Sequence, residues 1–208
     1  GTGGFGFVYK TADPNVVVKK IWTTLCHTDI SHDNSILRDK ETSVFREIQT
    51  LASCQHENVV KFIAVGSSRK HLHIYMELCD MNLSNYHKKN KFAINQFICE
   101  VHEEIRHIFQ GLKCIHSKNI IHRDIKPENV LVKYDINNKQ KKTFKITDFG
   151  LAKFINPDKK LMSTNTEGVG TPWYRAPEID VSTEFYDKFY DFSVDVFATA
   201  AMFFSLYD

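Results

Sequence analysis

At 208 residues, with 42% hydrophobic and 25% charged residues, the chain has the composition of a globular protein with a sizeable core. A formal charge of +2 gives no basic surplus that would call for nucleic acid or a membrane surface as partner. Five cysteines, at 26, 54, 79, 99 and 114 with no Cys-x-x-Cys pair, point to free thiols in a reducing compartment rather than a disulfide framework or a zinc site.

In chain order, Phe5 to Lys10 and Val16 to Ile21 are β-branched or aromatic runs separated by the turn signal Asp13-Pro14-Asn15. Thr23 to Glu41 is polar without hydrophobic periodicity and reads as a loop; Cys26, His27 and His32 within it lack the spacing and number of a metal site. Val44, Ile48 and Leu51 then recur at helical spacing until Gln55-His56-Glu57-Asn58 breaks the pattern. Val59 to Gly66 and His71 to Leu78 are two further strands around a Ser67-Ser68 turn.

After Cys79 the organisation changes. Apolar residues from Ile94 to Ile115 fall three or four apart over about six turns, a long amphipathic helix with one buried stripe. Val130-Leu131-Val132 and Phe144 to Thr147 are short strands, with Asn137 to Lys142 as a solvated hairpin tip. Val196 to Tyr207 is too short to span a bilayer and reads as a buried helix. The chain opens on glycines rather than a basic and apolar leader, lacks an initiating Met and stops within that last stretch, so it reads as a fragment. The expected architecture is α+β and bilobal: a β-rich lobe over residues 1–78, then a hinge and a mainly helical, incomplete lobe over residues 79–208.

The chemistry is concentrated in a few segments. Gly1-Thr2-Gly3-Gly4-Phe5-Gly6-Phe7-Val8 fits Gly-x-Gly-x-x-Gly-x-Val, a weak signal alone. The chain continues as a strand and not a helix, which excludes a dinucleotide fold and leaves a hairpin tip whose N–H groups can lie over phosphates. Lys19 sits in an apolar strand, and a buried lysine needs a carboxylate; Glu47 on the following helix is the candidate. The strongest signal is His122-Arg123-Asp124-Ile125-Lys126-Pro127-Glu128-Asn129. There Asp124 can accept a hydroxyl proton, Lys126 can neutralise a transferring phosphoryl group, and Asn129 can coordinate Mg²⁺. Asp148, 24 residues after Asp124 and followed by Phe149-Gly150, suits a second oxygen ligand at the end of a strand.

Together and in this order, these segments resemble the eukaryotic protein kinase family across essentially the whole chain. The resemblance implies ATP and Mg²⁺ as cofactors, with Asp124 and Lys126 catalytic and Asn129 and Asp148 metal ligands. It implies nucleotide contacts from Gly1, Thr2, Gly3, Gly4, Phe5, Gly6, Val8, Val17, Lys19, Glu47, Met76, Glu77, Cys79 and Leu131. Within that set Met76 resembles the gatekeeper, Glu77 and Cys79 supply backbone bonds to adenine, and Val8, Val17 and Leu131 sandwich the purine. Val17 departs from the commoner alanine and narrows the slot. Asp195 resembles the helix-borne aspartate that braces the catalytic loop, Ala176-Pro177-Glu178 closes the activation segment, and Leu51, Phe62, His122 and Phe149 match the apolar stack joining the lobes.

Lys126 and Thr171 match the serine/threonine form of the family, which implies protein substrates with Ser or Thr acceptors and an intracellular signalling role, cytoplasmic or nuclear. Arg175 is similar to proline-directed members, whereas Glu128 also occurs in members favouring arginine near the phosphosite; these two hints leave sequence preference open. Arg123 beside Asp124 offers a cation to a phosphate on Ser163, Thr164 or Thr166, placed there by an upstream kinase or by autophosphorylation. Two rivals stand beside this reading. A catalytically dead scaffold is opposed by the presence of Lys19, Asp124, Asn129 and Asp148, and a small-molecule kinase by the intact Thr171 to Glu178 segment.

Overall fold

A computed structural model describes residues 2–3, 6–22, 35–68, 71–90, 94–155, 162–163, 169–179 and 189–207. The first part is a five-stranded antiparallel sheet made of β1 (Thr2–Gly3), β2 (Gly6–Lys10), β3 (Val16–Trp22), β4 (Phe62–Ser67) and β5 (His71–Glu77), in the order β1-β2-β3-β5-β4. Register follows the apolar alternation: Lys19 faces Val8 and Ile74, and Val17 faces Met76. Ile21, Ile74 and Met76 are buried on that face. The expected strand from Val59 starts later, at Phe62, because Val59 and Val60 instead bond to the neighbourhood of Ile146.

Helix α1 (Ser35–Ser53) is longer than its apolar period indicates and takes in residues 35–41, which the polar pattern reads as loop. Leu37, Arg38, Lys40 and Glu41 are good helix formers, so propensity carries the first turns where no apolar stripe marks them. Cys26, His27 and His32 lie outside the described residues.

The second part is built on α3 (Ile94–His116), whose Ile108, Leu112 and Ile115 are fully buried. Before it come the short strand β6 (Met81–Asn82) and α2 (Leu83–Lys89), whose N-terminus Asn82 caps through its side chain to Asn85 N–H. After it come β7 (Ile120–Ile121) and the hairpin β8 (Val130–Tyr134) and β9 (Lys142–Ile146), with β6 joined to β8. Lys142 belongs to β9 and not to the solvated tip: it reaches Glu100 of α3 at 2.8 Å. The pairs β10 (Lys153–Phe154) with β7, and β11 (Met162–Ser163) with β12 (Phe189–Tyr190), complete the sheets.

Helix α4 (Ser193–Tyr207) was expected to be buried, and the structure corrects this in part. Val194, Asp195, Ala198, Thr199 and Met202 face the interior, while Val196, Phe197 and Phe204 are exposed. One core cluster runs from Ile21, Leu51 and Ile74 through Phe149 and Ile146 to Leu112 and Met202, so both parts share it. No helix among the described residues is long and apolar enough to cross a membrane.

Candidate active site

Two sets of charged side chains meet where the sheet faces the second part. Lys19 is buried on the inner face of β3, and its Nζ lies 2.7 Å from Glu47 Oε1 and 3.1 Å from Asp148 Oδ1. Glu47 shares the inward stripe of α1 with Val44 and Leu51, spaced three and four residues away. Burial opposes the Lys19 charge, but Glu47 and Asp148 outweigh it and hold the ammonium above its usual range. Burial pushes the Glu47 carboxyl up; Lys19 opposes this and Asp148 adds to it. Glu47 Oε2 is buried without a hydrogen-bond partner among the described residues. Two carboxylates thus share one ammonium, leaving the cluster short of positive charge.

The second set begins with a buried carboxylate. Asp195 on α4 accepts the backbone N–H of His122 at 2.9 Å and of Arg123 at 2.8 Å, with His116 Nε2 at 2.8 Å. These bonds hold Arg123 at φ 67, a left-handed conformation costly for a side chain with a Cβ. His122 Nε2 donates to the Thr147 carbonyl and its Nδ1 accepts from Asp124 N–H, which fixes the ring tautomer.

The loop so shaped gathers its polar groups on Asp124. Thr171 donates to Oδ1 through its hydroxyl at 2.8 Å and its N–H at 3.1 Å. Lys126 Nζ and Asn129 Nδ2 reach Oδ2 at 2.7 and 2.9 Å. Burial raises the Asp124 carboxyl, but the bonds from Lys126 and Thr171 prevail and hold it below the usual carboxylate range. It is an ionised acceptor at neutral pH.

Asp148 adopts φ 64 and is followed by a tight turn, Phe149–Leu151. Phe149 is fully buried and packs edge-on against His122 at 5.0 Å. Ser43 of α1 donates to the Gly150 carbonyl, and Arg123 Nε donates to the Leu151 carbonyl at 2.7 Å. Gly170 has φ 96, and a Cβ there would lie 2.6 Å from the Arg123 carbonyl, so the segment before Thr171 packs directly on the catalytic-loop backbone. Arg175, weighed as a specificity hint, is engaged with the carbonyls of Val169 and Gly170.

Between the two parts, residues 77–80 form the connection. Met76 is buried, and Val8, Val17 and Leu131 are half-buried. Leu78 N–H bonds to Asn15 O and Asp80 N–H to Val132 O, while Cys79 N–H has no backbone partner among the described residues. Burial, with Glu77 adding, pushes the Cys79 thiol up to about 12. Gly1, Gly4 and Phe5 lie outside the described residues; Thr2 and Gly3 pair with Phe7 and Gly6. Thr164 and Thr166 also lie outside them, and Ser163 is described only as part of β11.

Sequence reasoning missed His116, Ser43 and Gly170. Each acts through a contact with a residue far away in the chain, and no local period marks it. It also missed the partners of the Glu77 side chain.

The donor set suits Mg²⁺ held with a polyphosphate. Asn129 commits its amide nitrogen to Asp124 at both the carbonyl and Oδ2, so its carbonyl oxygen is the atom left to coordinate. Asp148 adds a hard carboxylate oxygen, and one or two such ligands plus phosphates is how Mg²⁺ is usually bound.

A family model described as "Protein kinase domain" matches residues 1–208. The chain is 31% identical over 207 residues to cyclin-dependent kinase-like 4 of Mus musculus, covering 98% of this chain and 53% of that protein. It is 32% identical over 207 residues to cyclin-dependent kinase-like 1 of Caenorhabditis elegans, covering 98% and 51%. It is 31% identical over 211 residues to the mitogen-activated protein kinase mpk-1 of Caenorhabditis elegans, covering 97% and 42%. The chain spans about half the length of the curated relatives it matches.

Proposed function

The chain belongs to the protein kinase family, and from that premise we propose that it transfers the γ-phosphate of ATP to serine or threonine hydroxyls of proteins. The observation that carries this reading is the position of Lys19 Nζ, within 2.7 Å of Glu47 and 3.1 Å of Asp148. It joins the phosphate-binding lysine of one lobe, proposed as residues 1–78, to a metal-binding carboxylate of the other, proposed as residues 79–208.

On this reading Lys19 clamps the α- and β-phosphates, with Glu47 fixing its position. Asn129 and Asp148 would hold Mg²⁺, which would supply positive charge to offset that developing on the phosphates. Asp124 orients the substrate hydroxyl and takes its proton. A carboxylate held low is a weak base, and that suffices because phosphoryl transfer has a loose transition state that asks little of the nucleophile. Lys126 and Thr171 are freed from Asp124 to face the transferring group and the acceptor. Gly1, Thr2, Gly3, Gly4, Phe5 and Gly6 cover the phosphates, while Val8, Val17, Met76, Leu131 and the backbone of Glu77 and Cys79 seat adenine.

Arg46 supports the proposed regulatory step. Its guanidinium is pulled down by burial and by the nearby Arg123, so a phosphate brought to this pair of cations from Ser163, Thr164 or Thr166 would be stabilised. Protein substrates, an upstream kinase or autophosphorylation, and an intracellular site of action, cytoplasmic or nuclear, belong to the same proposal.

The test is transfer of labelled γ-phosphate from Mg–ATP to a serine/threonine peptide library by the whole protein. Transfer that disappears in Asp124→Asn and in Asp148→Ala is expected. Tight Mg–ATP binding with no transfer to any protein would instead identify a scaffold, and transfer only to small alcohols a small-molecule kinase.

A further inference from the structure

The side chain of Glu77 lies on the far side of the connecting segment from the proposed adenine seat. Successive strand residues point to opposite faces, and Met76 takes the cleft side with Val17. Although Glu77 is only 8% exposed, it is fully paired. Lys145 Nζ of β9 lies 2.9 Å from Oε1 and Lys133 Nζ of β8 lies 2.5 Å from Oε2. The backbone N–H of Lys61 donates to Oε1 at 2.8 Å, and Glu77 N–H returns a bond to Lys61 O at 3.0 Å. Lys145 also donates to the Glu57 carbonyl at 2.6 Å. One carboxylate therefore ties the stretch before β4, the last residue of β5 and both strands of the β8–β9 hairpin.

We infer that Lys145 and Lys133 are positioning residues for ATP: acting through the Glu77 carboxylate, they hold the backbone of residues 77–79 at the spacing adenine requires. The inference rests on the kinase reading and goes beyond it, since neither lysine approaches the cleft chemistry. The segment has few other restraints. Leu78 is held by Asn15 from the first part, Asp80 by Val132 from the second, and Cys79 between them has no backbone bond among the described residues. Without the carboxylate cluster, the two anchors could turn about Cys79 and shift the adenine edge. The cluster carries two cations against one carboxylate, so removing one lysine still leaves Glu77 paired with the other. The two arms are unequal: both line a groove of about 1120 Å³, but the Lys133 side chain is 36% exposed and that of Lys145 is 10% exposed. A solvated arm is screened and holds less.

The experiment compares Lys145→Met, Lys133→Met and Lys145→Arg in the whole protein. It measures Mg–ATP affinity with a fluorescent ATP analogue, KM for ATP, kcat, and the thermal midpoint. For Lys145→Met the expected result is a rise in Kd and KM of about tenfold, a typical coupling between linked sites, with kcat changed by about twofold or less. Lys133→Met should give a smaller rise, and Lys145→Arg should restore most of the affinity. If Lys145→Met does not fold, Glu77→Gln, which keeps the Lys61 bond but loses the charge, must show the same KM rise. A lowered midpoint with unchanged KM in these variants would make the cluster structural only and overturn the inference, as would a fall in KM. Wild-type protein that binds no Mg–ATP would overturn the kinase reading and this inference with it; binding by wild type that every variant retains overturns the inference alone.

Discussion

Glu104 and His87 face each other across the contact between α3 and α2, with both carboxylate oxygens 3.1 Å from His87 Nε2. Tyr207 of α4 donates to Glu104 Oε2 at 2.8 Å, and the Glu104 side chain has no exposed surface. Burial, with Glu104 adding, pushes the Tyr207 phenol up, so it stays a donor. Three helices are joined by one buried acid. Glu104→Ala should therefore lower stability by about 3 kcal/mol through stranded partners, read as a reduced midpoint in denaturant unfolding. A change under about 0.5 kcal/mol, the range of ordinary surface substitutions, would show that the network adds nothing.

Lys19→Met should reduce kcat/KM by about 10²- to 10³-fold, the usual scale for losing one preorganised electrostatic contact at a reacting centre. Glu47→Gln should cost less, because Asp148 still holds the ammonium at 3.1 Å. Steady-state kinetics at saturating peptide would check the ranking, and a larger loss in Glu47→Gln would contradict it.

Gly111 offers a contest between two opposite effects. In a helix interior alanine is favoured over glycine by about 1 kcal/mol. Here, however, a Cβ would meet the Asn58 carbonyl at 2.6 Å and Ile146 Cδ1 at 3.0 Å. A backbone carbonyl gives way poorly, and overpacking costs about 1–3 kcal/mol. Gly111→Ala should therefore be net destabilising in thermal unfolding, and a stabilised variant would mean that α3 can slide away from residue 58.

Acid stability should carry the signature of Glu77. Burial raises its carboxyl, but Lys133, the Lys61 N–H and Lys145 prevail and hold it low. A folded-state value below the unfolded one gives stability that is complete above about pH 4.3 and is lost as pH falls through the folded value. The difference in midpoint between wild type and Glu77→Gln should hold above about pH 4.3 and shrink as pH falls below it. A difference independent of pH over that window would remove the assignment. Glu47, held high, acts with the opposite sign.

Cys79 should resist alkylation at about pH 8, because its thiol is pushed up to about 12 and little thiolate forms. Cys99 is exposed on α3 and should label before Cys54, Cys79 and Cys114. Peptide mass spectrometry after iodoacetamide treatment reads the order, and faster labelling of Cys79 than of Cys99 would contradict a half-buried thiol beside the Glu77 carboxylate.

The site was legible where chemistry forces a residue type at a fixed short spacing, as in Asp124, Lys126 and Asn129, or where a lysine sits in an apolar strand, as in Lys19. The long helix and the main strands were legible from their periods. What stayed hidden pairs residues far apart: Glu77 with Lys133 and Lys145, Glu104 with His87 and Tyr207, Gly111 with Asn58. Nothing within a window of a few residues distinguishes a lysine that will find a buried carboxylate from one that stays in water. The early start of α1 was hidden for a different reason, since propensity without an apolar stripe leaves no mark in the pattern.

The bonds that His122 and Arg123 N–H donate to Asp195 also bear on how the chain folds as it is made. In the loop that carries Asp124, Arg123 sits at φ 67 with its N–H and that of His122 held by that carboxylate. On the ribosome the chain grows by about 5–20 residues per second, and Asp195 is added 71 positions after Asp124. For several seconds the nascent chain therefore holds Asp124 before the carboxylate that braces its loop exists. On the proposed function, competence for phosphoryl transfer is thus postponed until α4 has been synthesised and docked.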